Sequence, residues 1–153
     1  MKLGDVLRKE RELKDISFAE AAARLGIAES QYQLLENGNS PIERWGPLLG
    51  QLAIILRTPT SRLVSVTGLA NGAQKDSCGS LIRQRRETIG KTVADVAQAA
   101  GLSVLVYEQI ERGSSPLEEF GPLLLRFAEM IEQPVFNLFY PCALPLEKLE
   151  DYP

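Results

Sequence analysis

Apolar positions along the chain fall at helical spacing in short runs. In GDVLRKEREL, Val6, Leu7 and Leu13 share one side of a helix. FAEAAARL follows, with Phe18, Ala22 and Leu25 on one face. Ser17 stands where an N-cap belongs, and Glu20 three residues later completes a capping box. Gly26 ends this helix, as a residue free to take positive φ does at a C-terminus. The next helix runs from about Ala28 to Glu36, where Asn37 and Gly38 stop it. Pro41 opens the following segment, and a fourth helix covers about Arg44 to Leu56. Thr58 and Pro59 then read as an N-cap and an N1 proline that start a short fifth helix. No alternation of period two lasts long enough to argue for a sheet, so the chain reads as all-α.

The same pattern occurs twice. A shift of 75 positions aligns Arg8 with Arg83, Arg11 with Arg86 and Glu12 with Glu87. It also aligns Ala22 with Ala97, Gly26 with Gly101, Tyr32 with Tyr107, Glu36 with Glu111, Gly38 with Gly113 and Pro41 with Pro116. The match runs without a gap through GPLL at 46–49 and at 121–124, and on to Pro59 and Pro134. In the second copy Thr92 and Asp95 supply the cap, Gly101 the break, Ser103 the next cap, and Arg112 with Gly113 the stop; Gln133 and Pro134 restart the chain. The expected organisation is therefore a first domain at 1–66, a linker at 67–78, a second domain at 79–141 and a tail at 142–153. The tail, CALPLEKLEDYP, is expected to lie extended or partly helical on a neighbour, or to be loose.

Composition narrows the chemistry. The 153 residues carry a net charge of -3, which exerts no global pull toward nucleic acid or an anionic membrane. Locally the sign varies: residues 1–66 hold nine Lys or Arg against eight Asp or Glu, and residues 79–141 hold six against eight. No run of 18 apolar residues is present, so no membrane partner is expected. The densely charged start, MKLGDVLRKERELKD, is unlike a signal peptide. Cys78 and Cys142 are expected as free thiols in a reducing, cytoplasmic setting. Histidine is absent, the cysteines sit outside any motif, and neither clustered carboxylates nor a Gly-rich phosphate loop occurs. No catalytic residue, cofactor or metal is expected.

The stretches SFAEAAARLGIAESQYQLLENGNSP and TVADVAQAAGLSVLVYEQIERGSSP carry a recognisable arrangement. Each has Ala in its first helix (Ala22, Ala97), Gly in the turn (Gly26, Gly101), an aliphatic after it (Ile27, Leu102) and a Glu-x-Gly ending (Glu36 and Gly38, Glu111 and Gly113). This resembles the lambda-repressor-like helix-turn-helix domain of the Cro/CI (XRE) family, over residues 3–66 and again over 78–140. The resemblance implies two tandem five-helix domains, with the third helix of each directed to the major groove. Most motif residues serve the fold: the alanines allow close crossing, and Glu36 and Glu111 are expected to accept hydrogen bonds from Arg11 and Arg86.

Function is then expected on the exposed face of each third helix. Periodicity turns Ile27, Tyr32 and Leu35 inward in the first copy, and Glu29, Ser30 and Gln33 outward, with Leu34 nearby. In the second copy Leu102, Tyr107 and Ile110 turn inward, and Val104, Leu105, Glu108 and Gln109 outward. Bases are usually read by Arg, Lys, Asn or Gln, which makes Ser30, Gln31, Gln33 and Gln109 the base-contact candidates. Arg8, Lys9, Arg44, Arg83 and Arg112 are the phosphate-contact candidates. The family commonly opens its second helix with Gln, where this chain has Phe18 and Val93. Val104 and Leu105 form an outward apolar pair better suited to protein than to a groove. Two functions are therefore expected: a transcriptional regulator that binds duplex DNA through its built-in pair or through a homodimer, or a module that uses the same fold to hold a protein partner.

Overall fold

The computed structural model describes residues 1–70 and 77–142. Those residues are helical, with no strand among them. The first copy forms α1 (Leu3–Leu13), α2 (Phe18–Leu25), α3 (Glu29–Glu36) and α4 (Ile42–Leu56), then a 3-10 turn at Thr60–Leu63. The second forms α5 (Cys78–Thr88), α6 (Val93–Ala100), α7 (Val104–Glu111) and α8 (Leu117–Met130), then a 3-10 segment at Val135–Cys142. The first three helices of each copy coincide in both bounds after the 75-residue shift. Among the described residues no helix is long and apolar enough to cross a membrane. The expected linker lies partly outside the described residues, and the expected tail lies outside them beyond Cys142.

Local chemistry accounts for the boundaries. Ser17 Oγ accepts from Glu20 N–H at 3.1 Å, and Ser103 Oγ from Val106 N–H at 3.2 Å. Thr92 and Asp95 bond each other's backbone N–H, a complete capping box. Gly26 and Gly101 close α2 and α6 with φ of 73° and 70°, in the left-handed region that a side chain disfavours. α4 begins at Ile42, ahead of the expected Arg44, because Ser40 Oγ accepts from Ile42 N–H at 3.1 Å.

The expected short fifth helix is present as a 3-10 turn, but its start differs from the expected Thr58 cap and Pro59 first position. Arg57 takes φ 56° and turns the chain sharply after α4, so Thr58 N–H is used on the Ala53 carbonyl. Thr58 is buried and caps nothing; Pro59 precedes the 3-10 turn in an extended conformation, φ -58° and ψ 140°. A single short turn results, tighter than an α-helix.

Two further features hold each copy together. The Glu43 carboxylate accepts from Leu3 N–H at 2.8 Å and Gly4 N–H at 2.7 Å. Glu118 does the same for Cys78 at 3.1 Å and Gly79 at 2.9 Å. Each places a negative charge on an N-terminus whose N–H groups have no partner within the helix. Gly4 and Gly79 are required there, because a Cβ would overlap the carbonyls at the end of α3 (Leu35, Glu36) or α7 (Ile110, Glu111).

The copies pack reciprocally. α4 lies along α8; α2 packs on α8 as α6 packs on α4; α1 meets Val135–Cys142 as α5 meets Thr60–Leu63. Such exchange of equivalent contacts is the pattern of a two-fold, self-complementary interface, here within one chain. One apolar cluster takes buried side chains from both copies, among them Leu49, Leu52, Leu124, Phe127, Phe136 and Phe139. The fourth helices and the segments after them thus form an interface inside the chain, with Trp45 half-buried against it. Arg85 adds a polar tie: its guanidinium donates to the carbonyls of Leu56 at 2.9 Å and Arg57 at 2.8 Å, at the C-terminal end of α4.

Candidate functional site

α3 is held on its inner side by Tyr32, Leu35 and Glu36, all buried. The Phe18 ring meets Tyr32 edge-on at 5.0 Å between centroids, and the Arg11 guanidinium lies 5.9 Å from the Phe18 centroid. Arg11 Nε donates to Glu36 Oε2 at 2.6 Å, Nη2 to Oε1 at 3.1 Å, and Nη1 to the Ile16 carbonyl at 2.9 Å. The second copy repeats this with Arg86, Glu111 and the Lys91 carbonyl, at 2.6, 3.1 and 3.0 Å. These bidentate pairs fix the end of each third helix to the first helix of its copy. Tyr32 and Tyr107 bury their hydroxyls without a hydrogen bond of ordinary geometry. Burial, and then the neighbouring Glu36 or Glu111 carboxylate, raises both phenol pKa values, so both stay neutral.

The outer side of α3 presents Glu29, Ser30, Gln33 and Leu34, all exposed, and Leu34 is 49% exposed. Gln31 is exposed too, but its side-chain oxygen accepts from Ala28 N–H at 3.1 Å. That bond occupies half of the fork an amide needs to read adenine, leaving Gln33 as the better-placed amide. On α7, Val104 (45% exposed), Leu105 (62% exposed), Glu108 and Gln109 face outward as expected. Leu34, expected near this face, adds an exposed apolar group beside the polar ones.

The basic candidates are all exposed but differ in surroundings. Arg8 pairs with Asp5 at 3.3 Å and Arg83 with Glu87 at 3.3 Å, both one turn away on their own helices. Such surface pairs hold their partners weakly and yield to a phosphate. Arg44 stacks over Trp45, its guanidinium carbon 5.3 Å from the ring centroid. Arg112 ends α7 at the C-cap. Phe18 and Val93 both pack against the core, so the first position of α2 and α6 serves the interior, and no polar group stands there.

Among the described residues no three His, Cys, Asp or Glu side chains gather as metal ligands would. Cys78 is buried and Cys142 half-buried, both as free thiols. Burial, then the Glu118 charge, pushes the Cys78 thiol pKa well up. No protein-family model, curated protein or solved structure matches the chain.

Proposed function

We propose that the chain is a DNA-binding transcriptional regulator of the Cro/CI (XRE) type, built from two tandem helix-turn-helix domains at about residues 1–66 and 79–141. The observation that carries this reading is the reciprocal packing around α4 and α8, with α3 and α7 each packed mainly on the first two helices of its own copy. Helix-turn-helix dimers use two-fold symmetry to offer two recognition helices to successive half-sites of a duplex. An internal pair supplies the same arrangement within one chain. Ser30, Gln33 and the free amide nitrogen of Gln31 are the proposed base contacts of the first copy, and Gln109 that of the second. Arg8, Lys9 and Arg44 meet phosphates on one side, and Arg83 and Arg112 on the other.

Retention of random duplex DNA at two salt concentrations tests the reading. Arg8→Ala with Arg44→Ala weakens binding to all sequences alike and lowers the salt slope by about 1 per lost phosphate contact. Gln33→Ala relaxes sequence preference instead. Absence of any salt-dependent retention at low ionic strength refutes the proposal.

A second reading, a protein-interaction module, is favoured by one observation: Val104 and Leu105 are exposed side by side on α7. An apolar pair offers little to a phosphate-lined groove and much to an apolar partner surface. On this reading Leu105→Asp abolishes partner capture and Arg8→Ala does not.

A further inference from the structure

The reciprocal packing has two equivalent joints, α2 on α8 and α6 on α4, and their chemistry differs. Beside the α2–α8 joint lies an open cleft of about 420 Å³, lined by Arg24, Ala70, Arg126, Glu129 and Met130. The 75-residue shift pairs Arg24 with Ala99, Arg126 with Gln51, Glu129 with Ile54 and Met130 with Ile55. At the α6–α4 joint the corresponding positions are therefore uncharged, and Ile54 is buried there. Packing alone is met by apolar and neutral residues at one joint, so the three charges at the other answer a different need.

We propose that this cleft binds a small organic anion carrying one or two carboxylates, held between the two arginines. Arg24 and Arg126 are both exposed, and the guanidinium fork matches a carboxylate in two parallel hydrogen bonds. Among the described residues Arg24 is engaged only by Glu20, at 3.5 Å on its own helix, an exposed pair that gives way to a better partner. Arg126 makes no ion pair or hydrogen bond among the described residues. Glu129 is oriented by Ala70 N–H, which donates to its Oε2 at 2.7 Å; this fixes the acid at the cleft wall and ties the segment after Ser65 to α8. Two cationic groups here face two carboxylates, Glu129 on the wall and Glu20 on Arg24, so a bound carboxylate takes the place of the exposed Glu20 pair and reaches the unpaired Arg126. Met130 and Ala70 supply an apolar floor for a short carbon chain. Because Arg24 belongs to the first copy and Arg126 to the second, the ligand bridges the copies and stiffens the joint between them. The site stands whether or not the chain binds DNA.

The test is titration of the full-length protein with glutarate, followed by NMR shifts of the Arg24 and Arg126 side chains and by thermal melting. Inorganic phosphate is the second probe. Glutarate is expected to saturate with a Kd on the order of 1 mM and to raise the melting temperature. Arg126→Gln and Arg24→Gln, both at exposed positions, weaken it about tenfold or more, the loss expected for one bidentate contact. Lys14→Gln, an exposed cation at the end of α1, leaves it unchanged. Equal response to phosphate and glutarate, each abolished by the same variants, assigns a general anion site and overturns the carboxylate assignment. A response that does not saturate, or that falls equally in Lys14→Gln, overturns the proposal.

Discussion

The Arg11–Glu36 pair joins three segments at one point: the end of α1, the end of α3 and the Ile16 carbonyl that leads into α2. Both side chains are nearly closed to water, at 11% and 8% exposure. Removing one member of such a pair strands the other charge, and Glu36→Leu should cost about 3 kcal/mol of stability. A double-mutant cycle with Arg11→Met checks this: the double variant is expected to regain part of the loss, and simple additivity would show that the pair is not coupled. Gly79→Ala should destabilise by about 2 kcal/mol or more in urea unfolding, because its Cβ meets the Ile110 carbonyl and cannot relax into space. The ion pairs were readable in the sequence, since both partners recur in register with an unusual residue combination. The roles of Gly4 and Gly79 were not readable. A glycine inside a helical pattern looks the same whether it faces solvent or a backbone carbonyl, and only the packed helix reveals which.

Single helices depend on caps that the sequence announces. Ser17→Ala should lower stability by about 1 kcal/mol, by freeing the Glu20 N–H. The Thr92–Asp95 box adds a pH dependence. The Thr92 N–H, and then its hydroxyl, hold the Asp95 pKa below its ordinary value. A depressed folded pKa contributes stability that is present above the ordinary Asp value and is lost as pH falls through the folded one. Proton titration by NMR should show the Asp95 pKa rising in Thr92→Val, which removes the hydroxyl's bond to the carboxylate together with its cap on the Asp95 N–H. Local capping was legible because donor and acceptor stand three residues apart. Glu43 and Glu118 also cap helices, yet they stand 39 and 40 residues from the N–H groups they serve, beyond the reach of any local pattern. The short fifth helix of the first copy appears as a 3-10 turn capped at Pro59 in place of Thr58, for a related reason. Thr-Pro reads as a helix start locally, but Arg57 had already turned the chain and Thr58 N–H was taken. On the candidate face, outward direction followed from periodicity, whereas the diversion of Gln31 to Ala28 depends on the rotamer that the folded turn selects.

At the scale of the molecule, the shared apolar cluster makes each copy depend on the other. A 60-residue unit buries little surface alone, and here part of that surface is lent across the joint. A fragment of residues 1–70 is expected to lack the cooperative thermal transition that the full chain shows by circular dichroism; an independent, sharp melt would refute the dependence. The asymmetry between the two joints was present in the sequence as mismatches in the repeat, Arg24 against Ala99 and Arg126 against Gln51. Those mismatches carried no meaning until the fold set the two residues on one cleft. The merged core also sets a clock for the backbone. Amides in α4 and α8 sit where both copies meet, so they exchange with solvent only when the whole chain opens, and at one common free energy. α3 and α7 pack mainly on the first two helices of their own copies and can open by themselves at lower cost. Deuterium should therefore enter the third helices first and the fourth helices last, in both copies. The molecule would then pair a slow, indivisible centre with two outer helices free to adjust to whatever they meet.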